Sequence, residues 1–89
     1  MRRPIIGGNW KMNKGLPFEA ADMLNKLIPL VKNLNNVDIV IAPPYTTLIP
    51  VIELTKNTNI MIGAQNMYFE EKGAFTGEIS PIFLKELGC

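Results

Sequence analysis

The sequence predicts an α/β chain in which three parallel strands alternate with three helices. Three observations carry this. Apolar runs recur at residues 5–6, 37–42 and 60–64. The second and third are rich in β-branched residues and nearly continuous, as expected for strands covered on both faces. Between the runs lie segments with helical spacing, so the order strand–helix repeats. Parallel strands with right-handed crossovers are the expected packing of that order.

The elements follow in turn. The first strand runs from Pro4 to Asn9, and its Gly7-Gly8 pair places residues without side chains where space is tight. From 17 to 34, apolar residues fall at Phe18, Ala21, Leu24, Leu27, Ile28, Val31 and Leu34, one stripe of a helix. Pro17 suits its first turn. Pro29 does not suit an interior, so a kink or break is expected near Ile28. Residues 46–56 read as a shorter second helix, with Pro50 tolerable near its start. The third run is followed by a long polar stretch, 66–78, containing Gly73 and Gly77. Ser80-Pro81 then supplies a cap and a first-turn proline, and Gly88 closes a short helix ending at Leu87.

Composition limits the function classes. The chain has 89 residues, 47% of them apolar, which allows one small packed unit. With 9 basic and 8 acidic residues its net charge is +1, and no field favours nucleic acid or an anionic membrane. No apolar run reaches the roughly 18 residues of a membrane span. A single cysteine, Cys89, fits a cytoplasmic protein and reads as a small buried residue rather than a nucleophile. Histidine is absent, and with it the commonest general acid–base and metal ligand. No P-loop, zinc spacing or dinucleotide fingerprint is present.

In α/β folds chemistry gathers at the carboxyl ends of the strands. Those ends here are Asn9 to Asn13, Pro43 to Thr46, and Gln65 to Tyr68. Lys11 is the cation nearest a strand end, and it suits a small anionic ligand such as a phosphate ester. Asn9 offers a donor and an acceptor to a hydroxyl or carbonyl, and it is equally a turn former. Gln65 and Asn66 either orient a ligand or tie down their loop. Thr76, between Phe75 and Gly77, is either a plain turn or a contact with a second subunit.

Several strings resemble those of the triosephosphate isomerase family. They are Gly8-Asn9-Trp10-Lys11-Met12-Asn13, Ala42-Pro43-Pro44, Gly63-Ala64-Gln65-Asn66, and Gly73-Ala74-Phe75-Thr76-Gly77-Glu78-Ile79-Ser80. They occur in the family's order and span essentially the whole chain. The resemblance implies a (β/α)₈ barrel, of which residues 1–89 would be the N-terminal portion of a single domain, its first three units. It implies interconversion of dihydroxyacetone phosphate and glyceraldehyde 3-phosphate through an enediolate, in glycolysis and gluconeogenesis, without cofactor or metal. By resemblance, Asn9 and Lys11 contact substrate, with Lys11 the electrostatic catalytic group. Gln65, Asn66 and Glu78 support the rim. Met12, Phe75, Thr76 and Gly77 form a subunit interface in a homo-oligomer, a dimer or a tetramer.

The resemblance also limits this chain. Triosephosphate isomerase is itself a standard example of tuned acid–base groups, a glutamate base beside a neutral histidine. In the family the histidine follows the fourth strand and the glutamate begins the lid after the sixth. No residue of this chain matches either, so the chain alone is expected to be inactive until the remaining strands are supplied. Three strands leave two unpaired edges, and weak folding or association is expected in isolation. The alternative reading is a non-catalytic folding or assembly fragment of the same barrel. Another phosphosugar-handling barrel is disfavoured by the loop 73–80.

Overall fold

The computed structural model describes residues 2–89. The chain runs β1 (Ile5–Asn9), α1 (Pro17–Val31), β2 (Asp38–Ala42), α2 (Tyr45–Thr55), β3 (Ile60–Ile62) and α3 (Pro81–Leu87). The strands form one parallel sheet in the order β1-β2-β3. The register aligns Ile6 with Ile39 and Ile60, and Gly8 with Ile41 and Ile62.

That register sets the core. Side chains alternate across a strand, so Ile39, Ile41, Ile60 and Ile62 share one face. They bury against Ala20 and Leu24 of α1, Leu48 and Val51 of α2, and Leu84 of α3. The opposite face has no such cover: Val40 is half-buried and Met61 is 48% exposed. The strands are therefore covered on one face, not two. The apolar continuity of residues 37–42 and 60–64 anticipates a second layer that these residues do not themselves provide.

β1 shows the same thing at an edge. All five of its residues are exposed. A Cβ built on Gly7 meets nothing within 4 Å, and one on Gly8 meets only atoms at 3.9 Å. The expected tightness around the glycine pair is absent, because the face toward which Gly7 points is open.

The helices depart from expectation in two ways. Pro29 does not break α1, which continues to Val31. The bond that Pro29 forfeits would have gone to the carbonyl of Asn25, an exposed residue where water can substitute. Past Val31 the chain is held from outside the helix: Asn59 Nδ2 donates to the carbonyls of Val31 at 2.7 Å and Leu34 at 2.8 Å. The buried stripe is also rotated. Ala20 and Leu24 are fully buried, whereas Phe18 is 72% exposed. In α2, Pro50 is the sixth residue rather than near the start; the carbonyl it leaves unpaired belongs to Thr46, again exposed.

The third helix forms as its signals require. Ser80 Oγ accepts from the Ile82 amide at 3.1 Å, and Pro81 occupies the first turn. Gly88 takes the left-handed conformation at φ 109°, and its amide donates to the carbonyls of Leu84 and Lys85. Cys89 beyond it is exposed, not buried as expected. Partial burial of its thiol nonetheless raises the pKa, which lowers the thiolate fraction and with it nucleophilicity.

Candidate active site

Because the strands are parallel, their carboxyl ends lie along one edge of the sheet, and the loops leaving them meet there. The first loop begins attached to its neighbour, the Trp10 amide donating to the Ala42 carbonyl at 3.1 Å. Asn9 then turns the chain. Its Oδ1 accepts from the Lys11 amide at 2.8 Å, a side-chain mimic of a backbone turn. What Asn9 still has to offer a ligand is the donor Nδ2 and the second lone pair of Oδ1.

Lys11 sits at φ 54°, in the left-handed region. For a residue with a Cβ this costs roughly 1–2 kcal/mol. The surroundings that impose it are visible. Asn9 holds the Lys11 amide, and Gln65 Nε2 donates to the Lys11 carbonyl at 2.8 Å. The same Nε2 donates to the Ala42 carbonyl at 2.9 Å. An amide nitrogen carries two hydrogens, so one group reaches both carbonyls. Further along, Asn13 Nδ2 donates to the Trp10 carbonyl at 3.1 Å, and Thr46 Oγ1 donates to the Gly15 carbonyl at 2.7 Å. Lys14 repeats the left-handed conformation at φ 57°.

The Lys11 side chain is exposed. Among the described residues the ion pairs are Arg3–Asp38, Lys26–Asp22 and Lys56–Glu53, and Lys11 belongs to none of them. Its ammonium is available to an anion. Fully in water, a unit charge about 4 Å away gains only about 1 kcal/mol; near a low-dielectric wall it gains about 4 kcal/mol.

The second and third loops are tied to each other through Tyr45, whose hydroxyl donates to the Asn66 carbonyl. Burial of that ring end raises its pKa; the hydrogen bond to Asn66 opposes this, and the charges of Glu78 and Cys89 add to it. Asn66 Oδ1 accepts from the Met67 amide at 2.8 Å, so this side chain shapes its own turn. The amide of Tyr68 donates to Ile79 at 2.9 Å, closing the base of the long loop. Within the loop the Tyr68 ring lies 4.6 Å from Phe69 and 4.7 Å from Phe75. The Glu78 amide donates to the Phe75 carbonyl at 3.0 Å, folding the turn that carries Thr76 and Gly77.

Among the residues singled out from sequence, Asn9, Lys11 and Gln65 are brought together by direct hydrogen bonds. Met12 is 96% exposed, and Phe75, Thr76 and Gly77 are exposed as well; no hydrogen bond joins that turn to the first loop among the described residues. Sequence reasoning placed Tyr45 and Thr46 on the rim without a role. Their roles are the loop ties just described. The available signal was two hydroxyl residues directly after Pro43-Pro44, at a strand's carboxyl end.

A parallel sheet with a helix after every strand, and polar groups gathered where the strands end, defines the chain as three units of a (β/α)₈ barrel of the enzyme type. Against solved structures it superposes on the triosephosphate isomerase of Bartonella henselae with a TM-score of 0.86 at 34% identity, covering 99% of this chain and 35% of that one. The chain belongs to the triosephosphate isomerase family, whose family model matches residues 4–89. Curated relatives named triosephosphate isomerase include that of Caldanaerobacter subterraneus subsp. tengcongensis, 57% identical over 88 residues, and that of Carboxydothermus hydrogenoformans, 50% identical over 88. Each comparison covers 99% of this chain, and the chain spans about 35% of the relatives' length.

Proposed function

We propose that these residues supply the substrate-binding and electrostatic wall of a triose-phosphate isomerase. The reaction is interconversion of dihydroxyacetone phosphate and glyceraldehyde 3-phosphate through an enediolate. The observation that carries this is Lys11, held in a left-handed conformation beside Asn9 at the end of β1 with its ammonium in no ion pair among the described residues. Lys11 Nζ attracts the phosphate ester and stabilises negative charge as the enediolate forms. Asn9 Nδ2 donates to a substrate oxygen. Asn66 and Glu78 support the rim, Asn66 through its turn and Glu78 through the amide that folds the 75–78 turn.

Proton transfer needs more than this chain's residues provide. No histidine occurs among its 89 residues, and none of its glutamates matches the family's base. The expected outcome is that the purified 89-residue chain interconverts the two triose phosphates no faster than buffer does. Joined to the remaining two thirds of the Caldanaerobacter relative, the same residues should form a barrel with family-like turnover. A coupled assay on both samples tests this, and an active 89-residue chain would overturn it.

The assembly reading follows the same family. Met12, Phe75, Thr76 and Gly77 form the contact of a homo-oligomer, a dimer or a tetramer, in a cytoplasmic enzyme of glycolysis and gluconeogenesis. Their exposure supports this: Met12 and Phe75 are apolar side chains left in water by these residues alone. Sedimentation of the joined barrel, with Thr76→Arg as the disrupting variant, tests it.

A further inference from the structure

We infer that Gln65 is the positioning residue for Lys11, acting on its backbone rather than on substrate. The inference rests on the reading of Lys11 as a substrate contact and adds what sets its aim. The direction of a side chain leaving the backbone is fixed by the φ and ψ of its own residue. Lys11 is pinned on both sides: its amide by Asn9 Oδ1 at 2.8 Å, its carbonyl by Gln65 Nε2 at 2.8 Å. The first bond comes from Asn9, the last residue of β1, and so refers Lys11 only to its own strand. The second crosses from the end of β3. Because Nε2 also holds the Ala42 carbonyl at 2.9 Å, one carboxamide relates the Lys11 peptide to the ends of both β2 and β3.

The orientation of that carboxamide is determined by its partners. Both neighbours are carbonyl oxygens, which only accept, so the nitrogen must face them. A left-handed backbone at a residue with a Cβ persists only where its surroundings over-determine it. Without Gln65 Nε2, Lys11 is free to relax toward ordinary backbone angles, and its ammonium leaves the rim position.

The test is a double-mutant cycle in the complete barrel formed by joining these residues to the rest of the Caldanaerobacter relative. Gln65→Met keeps length and removes the donor. It should lower kcat/KM by about ten- to a hundredfold, the scale of a misplaced group. In a Lys11→Ala background the same change should have an effect of less than about twofold, because a residue that acts through Lys11 has nothing left to act on. Gln65→Glu is the second variant. Its carboxyl donates only when protonated, so its activity should recover as pH falls, whereas Gln65→Met should not. Equal fold losses for Gln65→Met with and without Lys11 would show a general structural role and overturn the inference. So would unchanged kcat/KM in Gln65→Met when Lys11→Ala is impaired. If Lys11→Ala itself leaves kcat/KM intact, the substrate-contact reading fails, and this inference fails with it.

Discussion

The loop that leaves β1 and the loop that joins β3 to α3 are both exposed, yet they are held in opposite ways. The first is stitched to the sheet. Trp10, Lys11 and Gly15 each exchange a hydrogen bond with a residue at or beyond the end of β2 or β3. The second is tied at its base, by Tyr68 to Ile79 and by Tyr45 to Asn66, and otherwise packs on itself through Tyr68, Phe69 and Phe75. A loop fixed to the scaffold presents a preset charge to a small ligand. A loop that packs on itself presents a surface, which suits another protein. Exposure alone does not separate these cases, whereas the destination of the hydrogen bonds does.

Substitutions in the complete barrel separate the two loops. The largest effect is expected at Lys11→Ala, with kcat/KM falling at least about a hundredfold, as when one transition-state donor is lost. Steady-state kinetics with unchanged melting would separate this from damage to the fold. Next is the long loop's own strain. Gly73 has φ 139°, and a Cβ there would meet the Phe75 ring at 2.8 Å, so Gly73→Ala adds a clash to backbone strain. Gly77 has φ 88° with open space around it, so Gly77→Ala adds strain only. We expect a loss of about 2 kcal/mol for Gly73→Ala and about 1 kcal/mol for Gly77→Ala by denaturant unfolding. Equal losses would mean that the aromatic packing does not constrain the loop.

Smaller effects sharpen the contrast. Thr46→Val removes the 2.7 Å tie to Gly15 while keeping shape, and should cost about 1 kcal/mol. Hydrogen exchange should then rise in residues 11–15 and not in 69–77. The smallest effect concerns pH. The folded-state pKa of Tyr45 is raised above 10.0, chiefly by burial. Its contribution to stability is therefore complete below pH 10.0 and is lost as pH rises through the folded-state value. Tyr45→Phe also removes the hydrogen bond to Asn66, so it should cost about 1 kcal/mol at pH 7 and flatten the stability profile above pH 10. A parallel offset at all pH values would assign Tyr45 a packing role only.

How far these features were legible in the sequence differs by kind. Strand and helix positions are written locally. Val37 to Ala42 reads as a strand, Pro17 and Pro81 start helices, and Gly88 ends one; the structure has a strand at Asp38–Ala42, buried on one face only, both helix starts and the Gly88 cap. The order of the four family strings identified the barrel and pointed to Asn9 and Lys11. Less legible was the phase of α1, where Ala20 rather than Phe18 is buried. Spacing gives a stripe, but the angle at which that stripe meets the sheet depends on packing.

The sequence by itself determined the alternation of strands and helices, the caps, and which polar residues follow each strand, because these depend on neighbours within a turn or two. The tertiary structure alone decided how Lys11 is held. Its carbonyl partner is Gln65, 54 residues away, and no local pattern encodes a hydrogen bond across the ends of separate strands. Burial likewise depends on which layers are present and not on how apolar a strand is, and no layer among these residues covers Val40 and Met61.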